Sequence, residues 1–126
     1  MDPDYIRDLF AGFGPVTVRR MFSGAGLYRD GTIFALVIDD VIYLKTDDQT
    51  RGAFEEEGLR PFSYVARGER RVLTSYWRMP DRLYDDPDEL VRWASAALEA
   101  SRRAARTPKR ARRKSGANKN RPRGEA

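Results

Sequence analysis

Cysteine and histidine are both missing from this 126-residue sequence. Without cysteine the chain has no disulfide and no thiol nucleophile, and without histidine it has no imidazole base and no zinc finger. No apolar run approaches the roughly 18 residues that a transmembrane helix needs. The acidic start, with Asp2 and Asp4, is unlike a secretory signal, which opens on basic residues. We therefore expect a cytoplasmic protein with no membrane contact, no metal site and no cofactor.

The net charge of +5 is divided between two oppositely charged parts of the chain. Residues 1–101 carry 13 Lys and Arg against 18 Asp and Glu, a net charge of −5. Residues 102–126 carry 11 Lys and Arg against one acid, Glu125, a net charge of +10. The apolar residues of this second part are all alanines, which bury too little surface to offset the entropy lost on ordering. The sequence therefore predicts one folded domain, residues 1–101, followed by a disordered basic tail, residues 102–126.

Capping residues and apolar spacing predict three helices. The first has Asp2 as its N-cap and Pro3 as its first residue, and its apolar positions follow i, i+3, i+4, i+7 spacing up to Phe13. The second spans about residues 48–57 and ends at Gly58. The third begins after Asp86, with an acid three residues later as in a capping box. One face of this helix carries Leu90, Trp93, Ala94, Ala97 and Leu98.

Alternating and β-branched segments fill the intervals between the helices. Strand patterns cover residues 16–22, 26–29, 32–38 and 41–45 before the second helix, and residues 62–66 and 71–77 after it. Asp30-Gly31 is typical of a type I′ hairpin turn, and turns this short join antiparallel neighbours. We expect an α+β fold of two layers, in which an antiparallel sheet of about five strands packs against helices, in the order α-β-β-β-α-β-β-α.

Three pairs of adjacent carboxylates are candidates for acid–base catalysis or Mg²⁺ binding. They are Asp39-Asp40, Asp47-Asp48 and Asp85-Asp86. Each pair lies at a predicted turn or helix start, where aspartate is favoured because its side chain accepts backbone hydrogen bonds. The structural interpretation is preferred, so we predict no catalytic residues and no enzyme activity.

Two groups of residues are candidates for contact with a partner. Arg19 and Arg20 precede the small-residue segment 23–26, which either cradles phosphate or, as we prefer, lets the backbone pack closely. Tyr76, Trp77 and Arg78 combine aromatic rings with a cation, a pattern of single-stranded nucleic-acid sites. The same aromatic residues also suit a hydrophobic core, and this second interpretation is favoured for them.

The basic tail is the strongest electrostatic feature of the sequence. A dense cluster of cations attracts polyanions and releases counterions, and the absence of a base-reading motif predicts contact with DNA or RNA that is independent of sequence. An equally weighted alternative is a tail that only improves solubility. The predicted contacts are Arg102, Arg103, Arg106, Lys109, Arg110, Arg112, Arg113 and Lys114.

Several stretches resemble the TfoX N-terminal domain family, which is linked to regulators of natural competence in bacteria. They are RMFSGAGLY at 20–28, YLK at 43–45, FSY at 62–64, SYWRMP at 75–80 and LVRWA at 90–94. The first and fourth are the more specific, and the resemblance covers about residues 3–100. It implies a two-layer α+β fold with an antiparallel sheet and a non-enzymatic role in gene regulation through an unidentified protein partner. The alternative function is a small protein-interaction or chaperone-like domain, expected to be a homodimer, in which the tail has no role.

Overall fold

A computed structural model describes residues 1–21 and 23–106 of the chain. This described part contains three α-helices, one short 3₁₀ helix and six β-strands. In chain order they are α1 (Pro3–Leu9), β1 (Thr17–Met21), β2 (Gly24–Arg29), β3 (Thr32–Ile38), β4 (Val41–Lys45), α2 (Arg51–Glu56), β5 (Pro61–Ala66), β6 (Glu69–Arg78), the 3₁₀ helix (Asp81–Asp85) and α3 (Pro87–Arg106).

The six strands form one antiparallel sheet in the order β1-β2-β3-β4-β6-β5. This confirms the predicted α+β class and the antiparallel sheet. The strand count is six rather than about five, because four strands precede α2 where the predicted order had three. β1 corresponds to the strand pattern predicted at residues 16–22, and it pairs along its whole length with β2.

Three tight turns set the register of the sheet. The β2–β3 turn has positive φ at Asp30 (51°) and Gly31 (79°), as the type I′ geometry requires. The β5–β6 turn repeats this geometry at Arg67 (54°) and Gly68 (77°). The β3–β4 turn at residues 39–40 also has two positive φ values, although both of its residues are aspartates. Aspartate tolerates this left-handed conformation better than most residues, which explains its occurrence at the turn.

The helices pack against a single face of the sheet, and the hydrophobic core lies between the two layers. Ile6 of α1 and Phe10, the C-cap of that helix, are buried, and the Phe10 ring meets that of Phe34 of β3 edge to face at 5.4 Å. From α2, Phe54 lies between Trp77 of β6 and Trp93 of α3, at ring distances of 6.3 and 4.9 Å. Edge-to-face rings of this kind add to the stabilisation from burial.

The helix ends follow the predicted capping residues, with some differences. The Asp2 carboxylate accepts the amide of Asp4 at 2.9 Å, and α2 ends in a Schellman arrangement with Gly58 at a φ of 71°. Asp86 accepts the amide of Glu89 at 3.2 Å, but the Glu89 carboxylate binds Arg92 and Trp93 of its own helix instead of returning to Asp86.

α3 continues to Arg106, five residues beyond the predicted limit at residue 101. Ala100 and Ser101 are still buried there, and Arg103 is held by an acid of the domain, so tertiary contacts sustain the last turns. Arg102, Arg103 and Arg106 therefore lie on a helix, which corrects their assignment to a disordered segment.

Candidate interaction surface

The two faces of the sheet carry different aromatic residues. Cross-strand partners lie on the same face, so one row of partners joins Leu27, Ala35, Leu44 and Trp77 on the helix-covered face. Phenylalanine and tryptophan dominate this side. The opposite face, which we call the open face, is covered by none of the described helices. It carries Arg19, Met21, Gly26, Tyr28, Ile33, Leu36, Ile38, Tyr43, Lys45, Tyr76 and Arg78, together with Phe62, Tyr64 and Arg71 from the β5–β6 hairpin.

Each tyrosine of the open face has a cation as its neighbour. Two cations lie over rings: the Arg19 guanidinium carbon is 5.0 Å from the centre of Tyr28, and the Lys45 ammonium is 5.0 Å from the centre of Tyr76. The other two are cross-strand partners of a tyrosine. The four pairs are Tyr28–Arg19, Tyr43–Arg78, Tyr64–Arg71 and Tyr76–Lys45. The open face therefore repeats one chemical unit, an aromatic ring beside a positive charge.

The apolar residues between these pairs form a second, smaller cluster. Leu36 is buried although it lies on the side away from the core, and burial raises the pKa of Tyr76 to about 12, with a further contribution from nearby Tyr28. Gly26 leaves room for this cluster, because an alanine Cβ there would lie 3.0 Å from both Met21 Cε and Tyr28 Cε1. The preferred interpretation of segment 23–26, close packing rather than phosphate binding, agrees with this geometry.

The five partner-contact candidates from the sequence are divided between the two faces. Arg19, Tyr76 and Arg78 lie on the open face. Arg19 and Arg78 stand at the two ends of one cross-strand row, four strand spacings apart, which corresponds to about 19 Å. Trp77 points into the core, and its ring nitrogen donates to the carbonyl of Thr74 at 3.0 Å.

Arg20, the fifth candidate, is on the helix-covered side of the sheet. It lines a cavity of about 520 Å³ between the start of α1 and the nearby ends of β1, β2 and β3. Ile6, Val18 and Val37 supply apolar walls, and Asp39 is at the rim. Arg20 is thus separated from Arg19, and the two do not form a joint phosphate site.

The β5–β6 hairpin extends beyond the rest of the sheet. Only residues 76–78 of β6 pair with β4, whereas residues 69–73 pair with β5 alone and are all exposed. Two valines at this end are mostly accessible, Val65 at 64% and Val72 at 53%. Apolar side chains grouped on a projecting edge are typical of a surface that meets another macromolecule.

The predicted basic-tail residues are only partly within the described structure. Arg103 forms a two-bond ion pair with Asp47, with N–O distances of 2.6 and 3.0 Å, and this contact holds the pKa of Asp47 below its ordinary value. Arg102 pairs with Glu99 of the same helix, and Arg106 is exposed. The remaining five candidates, Lys109, Arg110, Arg112, Arg113 and Lys114, lie outside the described residues.

The paired carboxylates have the structural positions expected of them. Asp39 and Asp40 form a turn, Asp47 accepts the amide of Gln49, and Asp86 is the residue before α3. Within residues 1–21 and 23–106, no group of three or more acids could hold a metal ion, and no helix is long and apolar enough to cross a membrane.

Sequence comparison identifies related proteins for most of the folded part. Residues 8–101 match the family model described as the TfoX N-terminal domain. The chain is 28% identical over 89 residues to DNA transformation protein TfoX1 of Aliivibrio fischeri, covering 71% of this chain and 42% of the relative. It is 27% identical over 95 residues to Protein Sxy of Escherichia coli, covering 75% and 45%. The chain therefore spans less than half the length of these curated relatives.

Proposed function

Since the chain belongs to the TfoX N-terminal domain family, we propose that it is a non-enzymatic regulatory binding module that works with the transcription machinery in the cytoplasm. The relative from Aliivibrio fischeri is named for DNA transformation, which supports a role in the regulation of DNA uptake. The domain contacts a protein partner, and the basic segment adds weak contact with nucleic acid that is independent of sequence.

The division of charge is the observation on which the nucleic-acid part of the proposal rests. Residues 1–101 have a net charge of −5 and repel a polyanion as a whole, whereas residues 102–126 have a net charge of +10. Two of these cations are already paired, Arg103 with Asp47 and Arg102 with Glu99. The contribution to nucleic-acid contact is thus expected mainly from the cations beyond residue 106.

Duplex DNA binding of the full chain and of residues 1–106 tests this part. We expect the full chain to bind with a steep salt dependence, because each neutralised phosphate contributes a slope of about −0.9 on a log–log plot. The shortened chain should lose nearly all duplex affinity, and a peptide of residues 102–126 should retain it. Equal duplex binding by the full and shortened chains would contradict the assignment to the basic segment.

The projecting hairpin supports the protein-contact part of the proposal. Val65 and Val72 are the most accessible large apolar side chains of the described residues. In an affinity pull-down from the native cell, transcription proteins should co-purify with the full chain and be lost with Val72→Lys. A matched control is Tyr5→Lys, since Tyr5 is 46% exposed but lies on α1. Equal recovery of transcription proteins with both variants would show that the protein contact does not involve the hairpin.

A further inference from the structure

We propose that the open face of the sheet is a binding site for single-stranded nucleic acid, in which tyrosine rings stack on bases and the neighbouring cations pair with phosphates. This goes beyond the function proposed above, which places nucleic-acid contact in the basic segment and leaves the folded domain to a protein partner.

The repeated pairing of ring and cation is the first argument. A nucleic-acid strand repeats a flat base and an anionic phosphate, and each open-face tyrosine has a positive charge beside it. Sheet surfaces that bind single strands combine aromatic stacking with a basic track for the backbone. The Tyr64 ring is 47% exposed and those of Tyr28 and Tyr43 are half-buried, so these three can meet bases, whereas Tyr76 is buried and contributes through Lys45.

The local charge is the second argument. The strand residues of the open face include four cations, Arg19, Lys45, Arg71 and Arg78, while residues 1–101 as a whole have a net charge of −5. The acid close to these cations within the hairpin is Glu69, which pairs with Arg71 at 3.4 Å. A basic face on an acidic domain selects an anionic ligand and directs it to this side of the molecule.

The carboxylates that already pair with two of these cations do not prevent phosphate binding. Arg78 pairs with Asp81 and Arg71 pairs with Glu69, each at 3.4 Å, and both side chains of each pair are substantially exposed. Ion pairs in such positions contribute little to stability, so a phosphate can replace the carboxylate at small cost.

The shape of the face favours a single strand over a duplex. Bases in a duplex are stacked on one another, so their flat faces cannot reach rings on a sheet, and a duplex would contact only the cations. A flexible strand can turn its bases towards the rings across the roughly 19 Å between Arg19 and Arg78.

Fluorescence anisotropy with the full chain tests the proposal at physiological salt. The probes are oligo(dT) and oligo(rU) of about twelve nucleotides, within the roughly 4–16 nucleotides that sheet-based sites cover, and a duplex of equal length. Tyr64→Ala should weaken binding of a single strand about fivefold or more and leave duplex binding unchanged. Tyr64→Phe, which keeps the ring, should retain the affinity. Because Tyr64 is 47% exposed, the substitution leaves the core intact, and thermal unfolding verifies this.

Two matched controls separate the open face from the rest of the surface. Tyr5→Ala removes a tyrosine of equal exposure (46%) from α1, and Arg7→Gln removes an exposed cation of the same helix. Both should leave single-strand binding unchanged, whereas Arg19→Gln on the open face should weaken it. A preference for oligo(dT) or oligo(rU) would identify DNA or RNA as the source of the strand.

Photo-crosslinking with bromouracil-containing oligonucleotides provides a readout that is independent of affinity. Crosslinks should map to peptides of β2, β4 and β5, which carry Tyr28, Tyr43 and Tyr64. Crosslinks confined to residues 102–126 would overturn the proposal, and so would equal effects of Tyr64→Ala and Tyr5→Ala. Absence of single-strand binding by the full chain would also overturn the proposal. An acidic protein would then be the expected ligand of the open face. Loss of duplex binding on shortening the chain tests the basic segment separately.

Discussion

Replacement of Gly24 by alanine should destabilise the domain more than any other glycine-to-alanine change in the described sheet. An alanine Cβ at this position would overlap the carbonyl oxygen of Val37 on the neighbouring strand. A backbone oxygen cannot rotate away as a side chain can, so β2 and β3 would have to separate at this point. The cost should reach the upper end of the roughly 1–3 kcal/mol typical of overpacking.

The gain from replacing a strand glycine offsets part of this cost. Alanine restricts the unfolded chain more than glycine does, which contributes about 0.5–1 kcal/mol in its favour. The net destabilisation is therefore about 2 kcal/mol, which corresponds to a fall in Tm of at least about 8 °C for a domain of this size. Thermal and urea unfolding followed by circular dichroism would measure it.

Two other glycines calibrate the measurement. At Gly26 the added Cβ would meet the flexible ends of Met21 and Tyr28 at 3.0 Å, so Gly26→Ala should cost less, at most about 1 kcal/mol. At Gly52, on α2, the Cβ meets nothing within 4 Å, and Gly52→Ala should stabilise by about 0.5–1 kcal/mol. If the Tm of Gly24→Ala lay within about 2 °C of the wild-type Tm, the inference that β2 and β3 approach closely at this point would be wrong.

Two further predictions concern α3 and its contacts. Trp93→Ala should reduce the free energy of unfolding, measured in urea, by about 2–3 kcal/mol. This is below the roughly 3–5 kcal/mol expected for a fully buried Trp, because the Trp93 ring is half-buried against Phe54. An unchanged free energy of unfolding would show that this contact does not form. Asp47→Asn should destabilise the domain at neutral pH, because Arg103 holds the pKa of Asp47 below its ordinary value of 3.8. Stabilisation from a carboxyl with a lowered pKa is complete above that value and is lost as the pH falls through the folded pKa, so the two unfolding curves should converge in acid. A difference that persisted unchanged below the folded pKa would exclude the ion pair as its cause.

The parts of the fold that depend on local signals could be predicted from the sequence. Turn residues such as Asp30-Gly31 and caps such as Asp2 and Asp86 act over a few residues, so their roles can be inferred without knowledge of distant contacts. The end of α3 could not be inferred in this way. Alanine and arginine are good helix formers, but the contact that secures the last turns joins Arg103 to Asp47, which is 56 positions away in the chain.

The open face could not be predicted without knowledge of the pairing register of the strands. The sequence indicates that Tyr76 and Trp77 are adjacent, but only the sheet assigns them to opposite faces and places Arg19 in the same cross-strand row as Arg78. A partial signal was present in β4, where Tyr43 and Lys45 alternate with the buried residues Ile42 and Leu44. That two-residue period indicates a polar aromatic face but does not identify the strands beside it.

The separation of tryptophan from tyrosine gives the protein two sets of intrinsic optical probes. Both tryptophans belong to the helix-covered layer, on either side of Phe54, so their fluorescence reports the integrity of the core. Four of the six tyrosines lie on the open face, so their absorbance reports events at that surface. Burial raises the pKa of Tyr76 to about 12, so we expect this tyrosine to ionise only in strongly alkaline solution. Unfolding and ligand binding can thus be followed in one sample without an added dye.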